Sequence, residues 1–419
     1  MIHNPPRCLR RLFPVLVTAC LSFGGTAVSQ DTQAPGASPF LRFRDRTLEY
    51  AGPESGESKP DREQPDEVGI GWFGPFDPFD PDDEHHAGMW WAASQAVEEA
   101  NAMGGYRGRP FRLLPCWAED PWGTGARHLA RLVYEKHPWA ILGSVDGPGT
   151  HLAEQIVAKA RLSLVSPVST DISVNLAGVP WMFSCAPGDD QLAGVIAGHV
   201  VADYPDPEDR CVVFSATDHD SRMATRQILK AFGKRNRSPH HRFDFDPGKP
   251  DLQVQLDALK KVEPDVVILS AQPDDAARVL KAFRQSHIKS VVFGAAPLGR
   301  RQFLRLAGPA AEGVRIPLLF PPPQPDARTR QFVRAFKARF DAEPDYAEVF
   351  TYDAATLLLE AINSTSLNRA HVRQALAETS PWRGIGGPIT WDGTGQNTRA
   401  VTRMGMISNG KIKVLDIGE

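Results

Sequence analysis

The run AILGSVDGPGTHLAEQIVAKARLSLVSPVSTD, residues Ala140 to Asp171, decides the architecture. Ala140–Gly143 and Leu162–Ser166 are short apolar runs, the pattern of strands buried on both faces. Between them, residues 150–160 carry a helical period. A buried strand, a helix and another buried strand is the unit of a parallel sheet covered by helices. The alternation continues outward in both directions. Strands are expected at Val68–Phe73, Phe111–Cys116, Met182–Cys185, Cys211–Ser215, Val266–Ala271 and Val291–Gly294. Helices are expected over 88–103, 125–136, 189–203, 222–235, 251–262 and 274–286. In the first of these helices, Trp91, Ser94, Val97 and Ala100 or Asn101 form one stripe, and Gly104-Gly105 stops it. The fold class expected is therefore α/β, with doubly wound parallel sheets.

A chain of 419 residues exceeds what one core usually serves, so more than one lobe is expected. A net charge of −3, with no basic run beyond the N-terminus, gives no footprint for nucleic acid. Residues 1–30 read as an export signal. Arg7, Arg10 and Arg11 precede an apolar core from Leu12 to Phe23, and Ala27-Val28-Ser29 fits a small-x-small cleavage site. Val17-Thr18-Ala19-Cys20 also resembles a bacterial lipobox, which would make Cys20 a lipid anchor and the sole means of membrane association. Both routes lead across the inner membrane, to a periplasmic location. Residues 31–65, rich in Pro, Gly, Ser and acids, read as a linker, with Phe40 to Tyr50 as a stretch able to dock. Beyond the signal, Cys116, Cys185 and Cys211 are an odd set and are expected as buried free thiols rather than a disulfide framework.

Open parallel sheets bind ligands outside the carboxyl ends of their strands, so the loops there matter most. The first, Gly71 to Pro78 (GWFGPFDP), lacks GxGxxG, and the chain lacks GxxxxGK[ST]. No dinucleotide or nucleotide cofactor is expected. Phe73 either flanks a ligand or packs the loop on a helix. The second loop offers Ser144, Asp146, Gly147 and Thr150 at a helix start, where free amides suit an anion and Asp146 suits an ammonium; Thr150 as a helix cap is the bland alternative. The third offers Val168, Ser169 and Thr170. The fourth offers His219 and Asp220 within Thr217-Asp218-His219-Asp220-Ser221. These neighbours on one turn do not make a nucleophile, base and orienter, and no GxSxG elbow occurs, so no catalysis is expected. Asp80-Pro81-Asp82-Asp83-Glu84-His85-His86 fits no metal-ligand spacing and reads as a solvated loop, so no metal is expected.

Several segments together resemble the type I periplasmic binding proteins, in the branch of leucine/isoleucine/valine receptors of ABC importers. They are Ala96-Val97-Glu98-Glu99-Ala100-Asn101 with Gly104-Gly105, Leu164-Val165-Ser166-Pro167 with Ser169-Thr170, Tyr352-Asp353-Ala354-Ala355, and PWRGIGGPITWD ending at Asp392, in this order over about residues 67–417. The resemblance implies two α/β lobes joined by three crossovers near 187, 318 and 385. One lobe would comprise 66–187 with 319–384, the other 188–318 with 385–419. It implies a cleft that closes around a small polar molecule, an amino acid or a related amide or organic acid, and a membrane permease as partner. A periplasmic sensor of the same fold is the alternative. Residue by residue, Thr170 matches a Thr that binds the amino acid's charged groups, and Val168 matches a neighbour whose backbone touches ligand. Gly147 stands where the family has a Ser. The aromatic of the second lobe falls near His219 or Asp220, and its acid falls near Pro297, where this chain has none. A branched-chain amino acid as the ligand therefore does not follow.

Overall fold

The computed structural model describes residues 66–80, 84–206, 210–248, 251–322 and 324–415. The signal segment and the linker with its stretch 40–50 lie outside them. Five strands form the first sheet: β1 (Val68–Gly74), β2 (Phe111–Trp117), β3 (Ala140–Gly143), β4 (Ser163–Ser166) and β5 (Met182–Ser184), in the order β2-β1-β3-β4-β5, all parallel. β3 and β4 are buried throughout, which is why their sequences are uniformly apolar or small. Along β1 successive side chains face opposite ways. Trp72 enters one core with the helices Glu84–Ala102 and Tyr346–Asn363, while Phe73 enters the other with Leu129, Ile141 and Leu152.

The second sheet takes β6 (Cys211–Ala216), β7 (His241–Phe245), β8 (Val266–Ser270), β9 (Val291–Gly294) and β10 (Arg315–Pro317). A short antiparallel hairpin follows later, β11 (Trp382–Gly384) with β12 (Gly387–Ile389). The chain then adds β13 (Met404–Ser408) and β14 (Lys411–Leu415) to the second sheet, giving the order β14-β13-β10-β9-β8-β6-β7. The last two strands run antiparallel. Helices cover both faces of this sheet as well. Among the described residues no helix is long and apolar enough to cross a membrane.

The chain passes between the cores three times. It leaves the first after Ala186, and the helix Asp189–Asp203 packs into a second-lobe core through Ala193, Ile196, Ala197 and Val200. It returns after Pro317, since Phe332 and Phe336 of the helix Ala327–Phe340 join the first core. It leaves again only after Trp391: Ile385, Ile389 and Trp391 all lie in the first core, and the indole of Trp391 donates to the carbonyl of Ser184 at 2.8 Å. The third passage thus lies beyond the position near 385 that the resemblance implies.

Several elements differ from the periodicity. The buried face of Glu84–Ala102 is Met89, Ala92, Ala93, Ala96, Val97 and Ala100, rotated from the expected stripe. Its small residues admit the helix Tyr346–Asn363 at close range. Trp91 lies to the side, 5.5 to 5.8 Å from the rings of Phe332, Phe336 and Phe340. The helix expected over 125–136 is reduced to Ala126–Arg131, flanked by single π turns. Cys116, Cys185 and Cys211 are free and buried.

Candidate ligand site between the two lobes

In each sheet the strand order reverses, at β1/β3 and at β6/β8. The loops leaving β3, β4 and β6 meet there. Asp146 is the cap of the helix Gly147–Ala160, accepting from the Gly149 amide at 3.3 Å and from the Ser144 hydroxyl at 2.5 Å. Pro148 fits this first turn because its missing N–H has no partner to lose there. The helix therefore starts three residues before the expected Thr150. Thr150 is buried inside it, donating back to the Asp146 carbonyl at 2.6 Å, and is not the cap.

The free amide of Gly147 points across to the second lobe and donates to Asp220 at 3.1 Å. A Cβ at Gly147 would lie 2.3 Å from Asp220 Oδ1 and 2.9 Å from Asp171 Oδ2, so any other residue here would push these carboxylates aside. Asp220 stands in the first turn of the helix His219–Gly233, which Asp218 caps through the Ser221 amide at 3.0 Å.

After β4, Val168 is buried in the first core and Ser169 is buried with a hydroxyl that has no hydrogen-bond partner. Thr170 bonds the carboxyl of Asp189 through its side chain, and its carbonyl accepts the Asp189 amide at 2.8 Å. Asp171 is the centre of the seam. Its Oδ1 accepts the Ser173 amide at 2.8 Å. Its Oδ2 lies 2.7 Å from Nε2 of His219 in the other lobe and 3.4 Å from Nε2 of His151. The Nδ1 of His151 lies 3.2 Å from Glu154.

These contacts set the charges. Burial works against ionising Asp171, but bonds from His151, His219 and Ser173 outweigh it and hold the carboxyl below the usual range. Its bond to Asp171, then that to Glu154, pushes His151 up to about 9. Burial pushes Asp189 up to about 8, against the Thr170 bond, and the charges of Asp171 and Asp190 add to the rise. Burial also raises Asp146, and it raises Asp220 with repulsion from Asp146, Asp171 and Asp189.

The fold thus gathers Ser144, Asp146, Gly147, Ser169, Thr170, His219 and Asp220 from the expected set. Phe73, Val168 and Thr150 are core side chains, Phe73 because the alternation of a strand buried on both faces turns it inward. Sequence reasoning did not single out His151, Glu154, Asp171 or Asp189. It also missed a second interlobe seam, a few residues after Pro297. There Arg300 pairs with Asp345 at 2.9 Å and Arg301 with Glu348 at 2.9 Å, and the Arg300 guanidinium lies over the Tyr346 ring. Of the run 80–86, expected as a solvated loop, residues 81–83 lie outside the described ones, residues 84–86 instead open the helix Glu84–Ala102, and the His86 ring stacks on Phe76 at 3.9 Å.

The sequence profile of the periplasmic binding proteins matches residues 68–411. The chain belongs to that family. A leucine-specific-binding protein of Salmonella typhimurium is 22% identical over 308 residues, covering 72% of this chain and 81% of the relative. The leucine-binding protein LivK of Thermotoga maritima superposes with a TM-score of 0.75 at 20% identity, over 83% of this chain and 98% of that one. A solute-binding protein of an ABC transporter from R. palustris, in complex with benzoate, does so with 0.71 at 16% identity, over 83% and 95%. At these identities the solved structures establish the two-lobed type I fold.

Proposed function

We propose that this periplasmic binding protein is an exported capture component, which closes its lobes around a small polar molecule and delivers it to the permease of an ABC-type importer. The observation that carries this reading is the meeting of carboxyl-end loops from both sheets at Gly147–Asp220 and Asp171–His219. Those contacts exist only when the lobes are together, so a solute bound there biases a hinge. Thr170, Ser169, Asp146 and Gly147 are the polar contacts offered. The excess of carboxyls favours a solute that carries an ammonium or other cationic group, alone or beside a carboxylate. A solute carboxylate at the Gly147 amide would have to displace Asp220.

A catalytic role has less support. Ser173, His151 and Glu154 follow one another in the order of nucleophile, base and acid, with Ser173 Oγ 2.8 Å from His151 Nε2. The Ser173 hydroxyl, however, donates to Asp171 at 2.8 Å, and an imidazole pushed up to about 9 is protonated at neutral pH and cannot act as base. Mass spectrometry of small molecules released from the denatured protein identifies the solute. Solution scattering with that solute should then show a smaller radius of gyration. An unchanged radius at saturation counts against closure, and conversion of the solute would make the protein an enzyme.

A further inference from the structure

The seam holds a second constellation that solute capture does not require. We propose that His151, Asp171 and His219 form a site for a divalent transition-metal cation, zinc or a chemically similar ion, that bridges the two lobes.

Two imidazoles and one carboxylate are a ligand set suited to zinc. One donor atom from each of the three residues lies within 4.8 Å of the other two. Around a tetrahedral ion with bonds of about 2.0–2.1 Å, neighbouring donors stand about 3.3 Å apart. Asp171 Oδ2 is 3.4 Å from His151 Nε2, already at that spacing, and 2.7 Å from His219 Nε2. His219 has to withdraw by a few tenths of an ångström, and it stands on the opposite lobe, where a small change of closure provides the movement. Three protein donors leave a fourth position for water or a solute atom.

The surroundings are also those of a metal site. A carboxylate behind a ligating imidazole fixes its orientation and raises its basicity. Glu154 Oε2 stands 3.2 Å from His151 Nδ1, and this glutamate is 2% exposed, with its second oxygen lacking any hydrogen-bond partner. Asp171 is oriented in the same way by the Ser173 amide on its other oxygen. Among the described residues, Asp146, Asp171, Asp189 and Asp220 have no Lys or Arg within ion-pair distance, whereas every acid of the Arg300–Arg301 seam has one. His151 and Asp171 come from the first lobe and His219 from the second, so an ion held by all three fastens the cleft.

The test uses the whole exported chain, stripped with a chelator and titrated by calorimetry with zinc chloride and separately with magnesium chloride, in the absence of any organic solute. One zinc per chain with micromolar or tighter affinity is expected, and no heat from magnesium. His151→Ala and Asp171→Asn should each weaken zinc about a hundredfold or more, and Glu154→Gln about ten- to a hundredfold. In solution scattering, zinc should shrink the wild type and leave His219→Ala open; His219 is half-exposed, so this variant should keep its fold. The double variant His85→Ala/His86→Ala should bind zinc as the wild type does. Absence of zinc binding by the wild type overturns the site. So does unchanged affinity in His151→Ala and Asp171→Asn proteins with normal melting curves, or loss of binding confined to the His85/His86 variant. Because no solute is present, failure here leaves solute capture standing, and capture by a metal-free His151→Ala protein would separate the two readings from the other side.

Discussion

Two seams join the lobes, and their chemistry is opposite. At Arg300–Asp345 and Arg301–Glu348, each acid is buried and meets a permanent cation that is itself mostly shielded from water. The acids are also spent locally: Asp345 and Glu348 form the capping box of the helix Tyr346–Asn363. At the other seam, Asp171 alone of four aspartates bonds the two imidazoles, one of them 32% exposed, and among the described residues none of the four meets an arginine or lysine within ion-pair distance. A seam whose charges are balanced by its own residues works as a latch. A seam whose carboxyls lack such partners leaves room for a cation from outside, as proposed above.

The first seam gives the largest expected effect. Arg300→Ala leaves Asp345 buried without its partner, and breaking a buried pair in this way costs about 3–5 kcal/mol. Urea unfolding of the variant should show that loss. A cost below about 1 kcal/mol would mean that the seam opens to water and is no latch.

The second expected effect concerns the acid-rich seam and its solute. Thr170→Val keeps the shape and removes the hydroxyl that meets Asp189. Affinity for the released solute should fall by about 1–3 kcal/mol. Stability should change less, because Asp171 and not Thr170 bonds the Ser173 amide that opens the next helical turn. Calorimetry and thermal melting of the same variant compare the two losses, and the reverse order would make Thr170 structural only.

The contrast also shows what a sequence discloses. β3, β4, β6 and β8 were legible because strands buried on both faces leave uninterrupted apolar runs. β7 was not, because His241-Arg242-Phe243-Asp244-Phe245 is a sheet edge with charges exposed to water. β10 was missed because three residues carry no period. The loops of the site were legible as strand ends. Two partners of the expected His219 were not, since His151 and Asp171 belong to other segments and meet it only through tertiary folding and lobe closure. The start at Gly147 was hidden by Gly-Pro-Gly, which looks like a turn until Asp146 caps it.

A smaller effect separates the seams by pH. His151 moves from its ordinary 6.5 up to about 9 in the folded protein, so its stabilisation is full below 6.5 and is lost as pH rises through 9. Asp189, raised to about 8, and Glu348, raised chiefly by burial to about 7, hold protons that the unfolded chain releases, so their effect also falls with rising pH, ending near 8 and 7. Above pH 7, the remaining decline belongs to the Asp–His seam. His151→Gln should flatten the stability curve between pH 7 and 9 and leave it sloping below 7. An unchanged slope above 7 would remove His151 from that account.

The smallest expected effect is a near-zero one, at Asp220. Burial, first of all, and four neighbouring aspartates push its carboxyl up, which favours the neutral form in the closed protein. A neutral carboxyl and an amide have nearly the same shape, and both offer an oxygen to the Gly147 amide. Asp220→Asn should therefore fall within about 0.5 kcal/mol of the wild type in urea unfolding. Asp220→Ala instead strands the Gly147 amide and should cost about 0.5–1.5 kcal/mol. The same pair of variants reads the seam's charge in binding. A cationic solute draws the proton off Asp220 and gains from the resulting carboxylate, so Asn should weaken it as much as Ala does. A neutral or anionic solute would tolerate Asn and lose only with Ala. If Asp220→Asn is strongly destabilising on its own, the carboxyl is ionised in the closed state, and the surplus acid of this seam is already matched by a cation from within the protein.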